Sequence, residues 1–332
     1  CNFLLSPIIA GAHGVTVATL TGTAGCVLSL FMTIALVFLD IYATKKGILP
    51  VESLDNNSDV NVKDIFKFPK SLWLVCGICV AVYCAIFPLI AVAKNFFTVK
   101  YGISGDEAST YVSIYQFVCA GGSPVIGGAV DNVGRFTYWM IASGIGFSLV
   151  HFLFIVASPP PFLMMGLMGG IYSFLVSSLW PCVPFVVHKD LVGLAYGIMT
   201  AMQNAGLATF PLISGAILDA YTPAQKPLCS TIYGPAGDHA TYAPGKSKPD
   251  LIGCTNSTAA PLPTAEGYHY TEIVFLGAAL VGVALAIVLL IVDKASNDGL
   301  LSSSPARRAE IKAEHEALLG PDTLNDFSES SI

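Results

Sequence analysis

The sequence predicts an all-α polytopic membrane protein, because its composition is strongly apolar and its apolar residues fall in long runs. Of 332 residues, 54% are hydrophobic and 11% are charged, whereas about a quarter of an average soluble domain is charged. So few charges cannot coat a soluble globule of this length, which argues against a soluble enzyme. The net charge of −6 offers no basic surface for nucleic acid, so no nucleic-acid partner is expected.

Seven apolar stretches predict membrane-spanning helices, because about 20 helical residues cross the hydrocarbon core of a bilayer. None of them contains Asp, Glu, Lys or Arg. A shorter apolar run over Leu4–Gly11 resembles the end of a further helix, and the chain starts at Cys1, so we expect it to be part of a longer protein. In chain order the predicted spans are Val15–Leu39, Leu72–Ala93, Ser109–Val130, Phe136–Ala157, Phe162–Val187, Leu191–Leu218 and Ile273–Val292.

The charges of the connecting segments predict the topology. Most of the 16 Lys and Arg residues lie in one alternate set of connections, namely Tyr42–Lys70, Asp131–Arg135, His188–Asp190 and the tail from Asp293. Connections rich in Lys and Arg face the cytosol in membrane proteins. We therefore expect this side of the bundle, and with it the C-terminus, to be cytosolic.

The long loop 219–272 faces the other side of the membrane in this topology. It contains a glycosylation sequon, Asn-Ser-Thr, that begins at Asn256. It also contains Cys229 and Cys254, which an oxidising lumen would allow to form a disulfide. The alternative is that both thiols are free and the sequon is unused.

One turn between two predicted spans carries the pattern Gly-x-x-x-Asp-x-x-Gly-Arg, formed by Gly127, Asp131, Gly134 and Arg135. Gly127 allows a neighbouring helix to approach closely. Asp131 ends its helix at the membrane face, Gly134 permits a tight turn, and Arg135 can pair with Asp131 or with terminal carbonyl groups of a helix. We interpret these four residues as a conformational gate. The alternative is a plain helix-ending turn with an anchoring arginine.

This pattern resembles the signature of the major facilitator superfamily, whose members have two six-helix halves with the signature after the second helix of each half. The resemblance implies that the chain lacks most of the first half. It divides the chain into the end of the first helical half (1–41), a cytosolic linker between the halves (42–70), the second six-helix half with a lumenal loop (71–293, loop 219–272) and a mostly disordered cytosolic tail (294–332).

Other stretches resemble the lysosomal dipeptide-transporter branch of that superfamily, namely Phe68–Trp73, Ser178–Pro181, Gly193–Gly197 and Gln203–Ala208. The resemblance implies a multi-pass protein of the lysosomal membrane that moves dipeptides by alternating access. It also implies that a glycosylated lysosomal accessory membrane protein is a partner besides the lipid bilayer and the small-molecule substrate.

Substrate sites of transporters lie near the bilayer midplane, between the halves. The second half has no charged residue within its predicted spans, but it has neutral groups that suit peptide amides and side chains. Each could also serve only to pack helices together, and His151 is expected to form a hydrogen bond between helices. The candidates are Tyr83, Tyr115, Gln116, Tyr172, Trp180, Gln203 and Asn204.

The sequence shows no catalytic set, phosphate loop or metal-ligand spacing, so neither enzyme activity nor a cofactor is expected. In the tail, a short helix is predicted over 306–319, and Glu314 with Leu318 and Leu319 matches an acidic dileucine sorting signal. Two other functions stay open. One is a transporter of the same superfamily for a sugar, an organic anion or a nucleoside. The other is a seven-helix receptor, which would place its Asp and Arg next to each other at the turn.

Overall fold

The computed structural model describes residues 14–46, 65, 68–224, 261–296 and 298–319. The long elements in this part of the chain are eight α-helices, and short 3₁₀ turns follow the fifth helix at Val183–Phe185 and Lys189–Leu191. The helices are α1 (Val15–Lys45), α2 (Lys70–Tyr101), α3 (Gly105–Val133), α4 (Phe136–Val156), α5 (Pro161–Leu179), α6 (Val192–Ala220), α7 (Ala265–Ser296) and α8 (Pro305–Leu319).

A helix occupies each of the seven predicted spans, and the predicted fold class of an all-α polytopic membrane protein is confirmed. Within the described residues, five helices are long and apolar enough to cross a membrane, namely α1, α2, α4, α5 and α7. At 29 residues each, α3 and α6 are also long enough. They fall short in hydropathy because they carry more polar residues, among them Gln116, Gln203 and Asn204.

Local sequence signals explain several helix ends. The Ser104 hydroxyl accepts a hydrogen bond from the Glu107 backbone N–H at 3.2 Å, which caps the start of α3. Gly102 ends α2 with a φ of 68°, a left-handed conformation that glycine adopts without strain. Pro161 occupies the first position of α5, where its missing N–H costs nothing.

The bundle is organised around α2, which packs against α7, α6 and α3. In addition, α3 packs against α5, and α4 packs against both α7 and α5. Glycines allow the closest approaches. A Cβ on Gly169 of α5 would lie 2.6 Å from the backbone oxygen of Tyr115 in α3, and one on Gly282 of α7 would lie 2.6 Å from Val82 of α2. Small residues at such crossings are typical of helix packing in membranes.

Helices α2 to α7 alternate in direction, so their ends form two sets. We call the end that carries Asp131–Arg135 the signature-turn end, and the other the opposite end. At the opposite end α7 begins at Ala265, ahead of the predicted Ile273. Glu272, which sequence analysis assigned to a loop, is therefore helical and 2% exposed.

The structure tests two predictions, one about a helix in the tail and one about His151. The tail helix is confirmed as α8, and it contains Glu314, Leu318 and Leu319, of which only the backbone is described. The expectation that His151 forms a hydrogen bond between helices is also confirmed, since its partner is Glu272 of α7. Cys229, Cys254 and Asn256 lie outside the described residues.

Candidate substrate route and gate

The signature turn, residues Asp131–Arg135, has the tight geometry that its sequence predicts. Gly134 has φ 66° and ψ −135°, and its N–H donates to the Val130 carbonyl at 2.7 Å. Arg135 follows in the left-handed region at φ 56°. The Trp139 indole N–H donates to the Gly134 carbonyl at 2.9 Å, which ties the turn to α4. Gly127 lies on the side of α3 that meets α5, because a Cβ there would lie 3.6 Å from the Ser177 hydroxyl.

The two charged residues of the turn do not form the ion pair that the sequence suggested as one possibility. Asp131 and Arg135 are both exposed, and no ion pair joins them within the described part of the chain. The Asp131 carboxylate acts electrostatically on Arg308 of α8. Burial lowers the pKa of the Arg308 guanidinium, and the Asp131 carboxylate partly opposes that shift.

Four of the seven predicted route residues meet near the middle of the bundle. We call Tyr83, Tyr115, Tyr172 and Trp180, together with Phe87, the central aromatic cluster. The Tyr172 hydroxyl donates to the Tyr83 hydroxyl at 3.2 Å. The Trp180 indole N–H donates to the same oxygen at 3.1 Å. Tyr83 therefore joins α2 to both α5 and the segment that follows it.

Ring contacts complete the central aromatic cluster. Tyr83 stacks on Phe87 with ring centroids 5.2 Å apart, and Tyr115 lies 5.7 Å from Tyr172. Such pairs stabilise beyond their buried area by about 0.5–1.5 kcal/mol. The Tyr115 hydroxyl is buried, yet it has no hydrogen-bond partner within the described residues. Binding of a polar ligand group to this hydroxyl would break no bond to the protein, but it requires neighbouring side chains to move, because Tyr115 is closed off from solvent in this conformation.

Two further aromatic residues belong to this region and were not predicted from the sequence. Phe87 follows Tyr83 by four positions, which places both on one face of α2, and this spacing could have identified it. Tyr196 of α6 stacks on Trp180 with centroids 6.0 Å apart, and its hydroxyl donates to the Trp180 carbonyl at 3.0 Å. Trp180 is thus fixed at both its ring and its backbone.

The three predicted carboxamides lie apart from this hydrogen-bond network. Gln116 and Gln203 are half-buried and Asn204 is exposed. Within the described residues, none of the three has a side-chain hydrogen bond to the protein. Gln203 and Asn204 lie near the middle of α6, at the same depth as the central aromatic cluster.

A separate cleft of about 290 Å³ opens at the opposite end of the bundle. Beside it, Nδ1 of His151 lies 2.7 Å from Oε2 of Glu272, and both side chains are buried. The Lys100 ammonium donates to the carbonyls of Phe154 and, at 2.8 Å, of Ala157. The lining includes Phe96, Lys100, Phe154, Ala157, His269 and Glu272. This cleft contacts none of the predicted route residues.

Membrane-length helices, an aromatic cluster joined by hydrogen bonds and a glycine-bounded charged turn together describe a helical membrane protein. The model of the Major Facilitator Superfamily matches residues 72–225 of this chain. This match favours the transporter prediction over the receptor alternative.

The chain is similar to curated proteins named lysosomal dipeptide transporter MFSD1. The protein of Bos taurus is 31% identical over 307 residues, which cover 92% of this chain and 55% of that protein. The protein of Gallus gallus is 38% identical over 200 residues, which cover 60% of this chain and 45% of that protein. The chain spans about half the length of the curated relatives that it matches.

A solved structure shares the fold. It is a crystal structure of a mutant of the peptide transporter POT in complex with sulfate. Its TM-score is 0.51 at 14% sequence identity, and the match covers 77% of this chain and 47% of that chain.

Proposed function

We propose that the intact protein moves dipeptides across the lysosomal membrane by alternating access, with its C-terminus in the cytosol. One observation carries this proposal: the chain is similar over 92% of its length to proteins named lysosomal dipeptide transporters. The distribution of Lys and Arg among the connections supports the orientation.

The chemistry of the central aromatic cluster supports a dipeptide substrate. A dipeptide offers amide and terminal groups that form hydrogen bonds, and its side chains vary. The unpartnered Tyr115 hydroxyl can bond to such a group, while the ring faces of Phe87 and Tyr172 accept apolar side chains. A strongly anionic substrate would require Arg or Lys on several helices. The carboxamides Gln203 and Asn204 contribute further hydrogen-bonding groups at the same depth.

The signature turn contributes as the gate. Gly127, Asp131, Gly134 and Arg135 lie at one end of the bundle, about 15 Å from a midplane site in a core about 30 Å thick. At that distance they act on conformational exchange and have no direct contact with substrate. In this mechanism the two halves rock about the bound dipeptide.

Three features of the loop 219–272 and of the tail belong to the same proposal. Asn256 carries glycan on the lumenal side, and Cys229 pairs with Cys254, a closure worth about 3 kcal/mol in the chain-entropy model. Glu314 with Leu318 and Leu319 directs the protein to lysosomes. A glycosylated accessory membrane protein is the proposed partner.

Uptake into proteoliposomes that contain the intact protein tests the substrate. We expect several dipeptides with different side chains to be transported, and sugars, organic anions and nucleosides to be excluded. Transport of one of these other classes with no dipeptide signal would overturn the substrate assignment and leave the fold unaffected.

Tyr115→Phe tests the site in the same assay. Removing a hydroxyl that bonds to the substrate should weaken apparent dipeptide affinity by about two- to tenfold, since one hydrogen bond contributes about 0.5–1.5 kcal/mol. Tyr138→Phe is the matched control, because Tyr138 is 44% exposed on α4. Equal affinities for Tyr115→Phe and the wild type would show that this hydroxyl does not bind the substrate.

A further inference from the structure

The chain after α7 returns to the bundle and packs against it. Asp293 is fully buried near the end of α7. Its carboxylate accepts hydrogen bonds from the backbone N–H groups of Leu301 and Ser302, each at 2.9 Å. Its carbonyl accepts a third from Gly299 at 3.0 Å. These bonds fix the direction in which the tail leaves α7. We call residues 298–311 the tail clasp.

The tail clasp contacts the signature turn directly. The Arg135 backbone N–H donates to the Ser303 carbonyl at 3.0 Å. Gly134 lies against the same segment, because a Cβ there would lie 2.9 Å from both the Ser303 oxygen and Cδ of Pro305 and would collide with the Arg308 guanidinium. The glycine of the signature is therefore required for the tail to approach, as well as for the turn itself.

Arg308 is the central contact of the tail clasp. It is only 7% exposed. Its guanidinium carbon lies 4.5 Å from the ring centroid of Phe136 and 4.9 Å from that of Phe185. The two rings belong to the first turn of α4 and to the 3₁₀ turn after α5, and their centroids are 5.7 Å apart. Within the described residues, Arg308 Nε has no hydrogen-bond partner.

The groups around Arg308 stabilise its positive charge only while the segments that carry them stay together. A buried guanidinium loses hydration, and aromatic faces and a nearby carboxylate compensate for that loss. Here the compensating groups come from three places: the end of α3 with Asp131, the start of α4 with Phe136, and the turn after α5 with Phe185. If these helix ends separate, Arg308 loses its partners together.

We propose that Arg308 is a positioning residue of the gate, and that the tail clasp holds the signature-turn ends of α3, α4 and α5 together in one conformation of the transporter. The clasp must be released, or must move as a body, when these ends rearrange. This inference rests on the transport activity proposed above. It adds a segment beyond the last spanning helix to the gating machinery.

Hydrogen exchange in the intact protein tests the clasp without reference to transport. In Arg308→Gln, the amides of the signature turn and of the first turn of α4 should open more readily, with exchange faster by roughly five- to thirtyfold. Arg307→Gln is the matched control, because Arg307 is the adjacent residue, its side chain is 52% exposed and it pairs with Glu310 on the same helix. Exchange equal to wild type in Arg308→Gln would overturn the proposal.

Transport kinetics test the positioning role. Arg308→Gln and Asp131→Asn should each lower the maximal rate of dipeptide uptake per folded protein while KM changes less than twofold. The double variant should lose less of the rate than the two single losses combined, because Asp131 acts electrostatically on Arg308. A raised KM with an unchanged maximal rate, or fully additive rate losses, would contradict the role.

The experiments still decide if Arg308→Gln does not fold or if the wild-type protein transports no dipeptide. If Arg308→Gln does not fold, Arg308→Lys keeps the charge but loses the planar stacking, and intermediate exchange is then expected. Exchange at wild-type rates in Arg308→Lys would overturn the role of the stacked guanidinium. If the wild-type protein transports no dipeptide, the proposed function fails, and the exchange comparison alone decides for or against the clasp.

Discussion

The two ends of the helical bundle bury ionisable side chains in different ways. At the opposite end, His151 of α4 and Glu272 of α7 bond directly at 2.7 Å, and both residues belong to long helices. At the signature-turn end, Arg308 lies between two aromatic rings and near Asp131, and it belongs to a segment outside the spanning helices.

This difference indicates which end of the bundle can open at the lower cost in free energy. Separating His151 from Glu272 requires α4 and α7 to move apart along a packed interface. Removing Arg308 requires only that the segment from Ser303 onward leave the bundle, which breaks the hydrogen bond from the Arg135 N–H to the Ser303 carbonyl. The bonds of Leu301 and Ser302 to Asp293 can stay in place. We therefore expect the helical pair to act as a fixed brace and the tail clasp to act as the movable contact.

The largest effect is expected from breaking the brace. Glu272→Leu leaves His151 buried without its partner, and loss of one member of a buried pair costs about 3–5 kcal/mol. Thermal unfolding of the detergent-solubilised intact protein measures the loss. Glu266→Gln changes an exposed carboxylate in the first turn of the same helix and should have almost no effect.

The double variant His151→Phe/Glu272→Leu sharpens the same test. It removes both polar partners, so it should recover much of the stability that the single variant loses. If the double variant is as unstable as the sum of the two single variants, the two side chains are not coupled and the brace does not exist.

A smaller loss of stability is expected from a substitution at the signature-turn end. Gly134→Ala places a Cβ at a φ of 66°, in contact with the tail clasp, and should destabilise the protein by about 1–3 kcal/mol. Gly128→Ala is the control, because Gly128 lies on α3 and a Cβ added there would have no neighbouring atom within 4 Å. Equal unfolding temperatures for both variants would contradict the close contact with the clasp.

The smallest effect on stability concerns the contact between α2 and the connection from α4 to α5. The Tyr101 hydroxyl donates to the Pro159 carbonyl at 2.8 Å, and Tyr101→Phe should cost about 1 kcal/mol. Tyr138→Phe again serves as the control in thermal unfolding. A stability equal to that of the control would mean that this bond contributes nothing to the opposite end.

The fold could be predicted from the sequence because membrane helices leave local signals. Apolar length identifies a span, and the pattern around Asp131 and Gly134 identifies the turn. The central aromatic cluster was predictable in part for the same reason. Tyr83, Tyr115 and Tyr172 each lie near the middle of a predicted span, so they meet at one depth once the helices assemble.

Other parts of the site depend on contacts between distant residues, which leave no local signal. Glu272 lies 121 residues from His151 along the chain, and its place next to a loop concealed its helical position. Arg308 lies in a charged tail segment, and nothing near it indicates that Phe136 and Phe185 form its binding surface. The depth of Gln203 and Asn204 was predicted, but not their separation from the aromatic hydrogen bonds.

The tail clasp has a consequence for biosynthesis. A ribosome makes the signature turn long before it makes Arg308, so the turn stays incomplete until every helix of the bundle has been synthesised. Assembly of the signature-turn end can then finish only after the chain is released far enough for Ser303 and Arg308 to reach their partners. A chain shortened just after α7 would keep all its spanning helices, yet the turn between α3 and α4 would never acquire its final contacts.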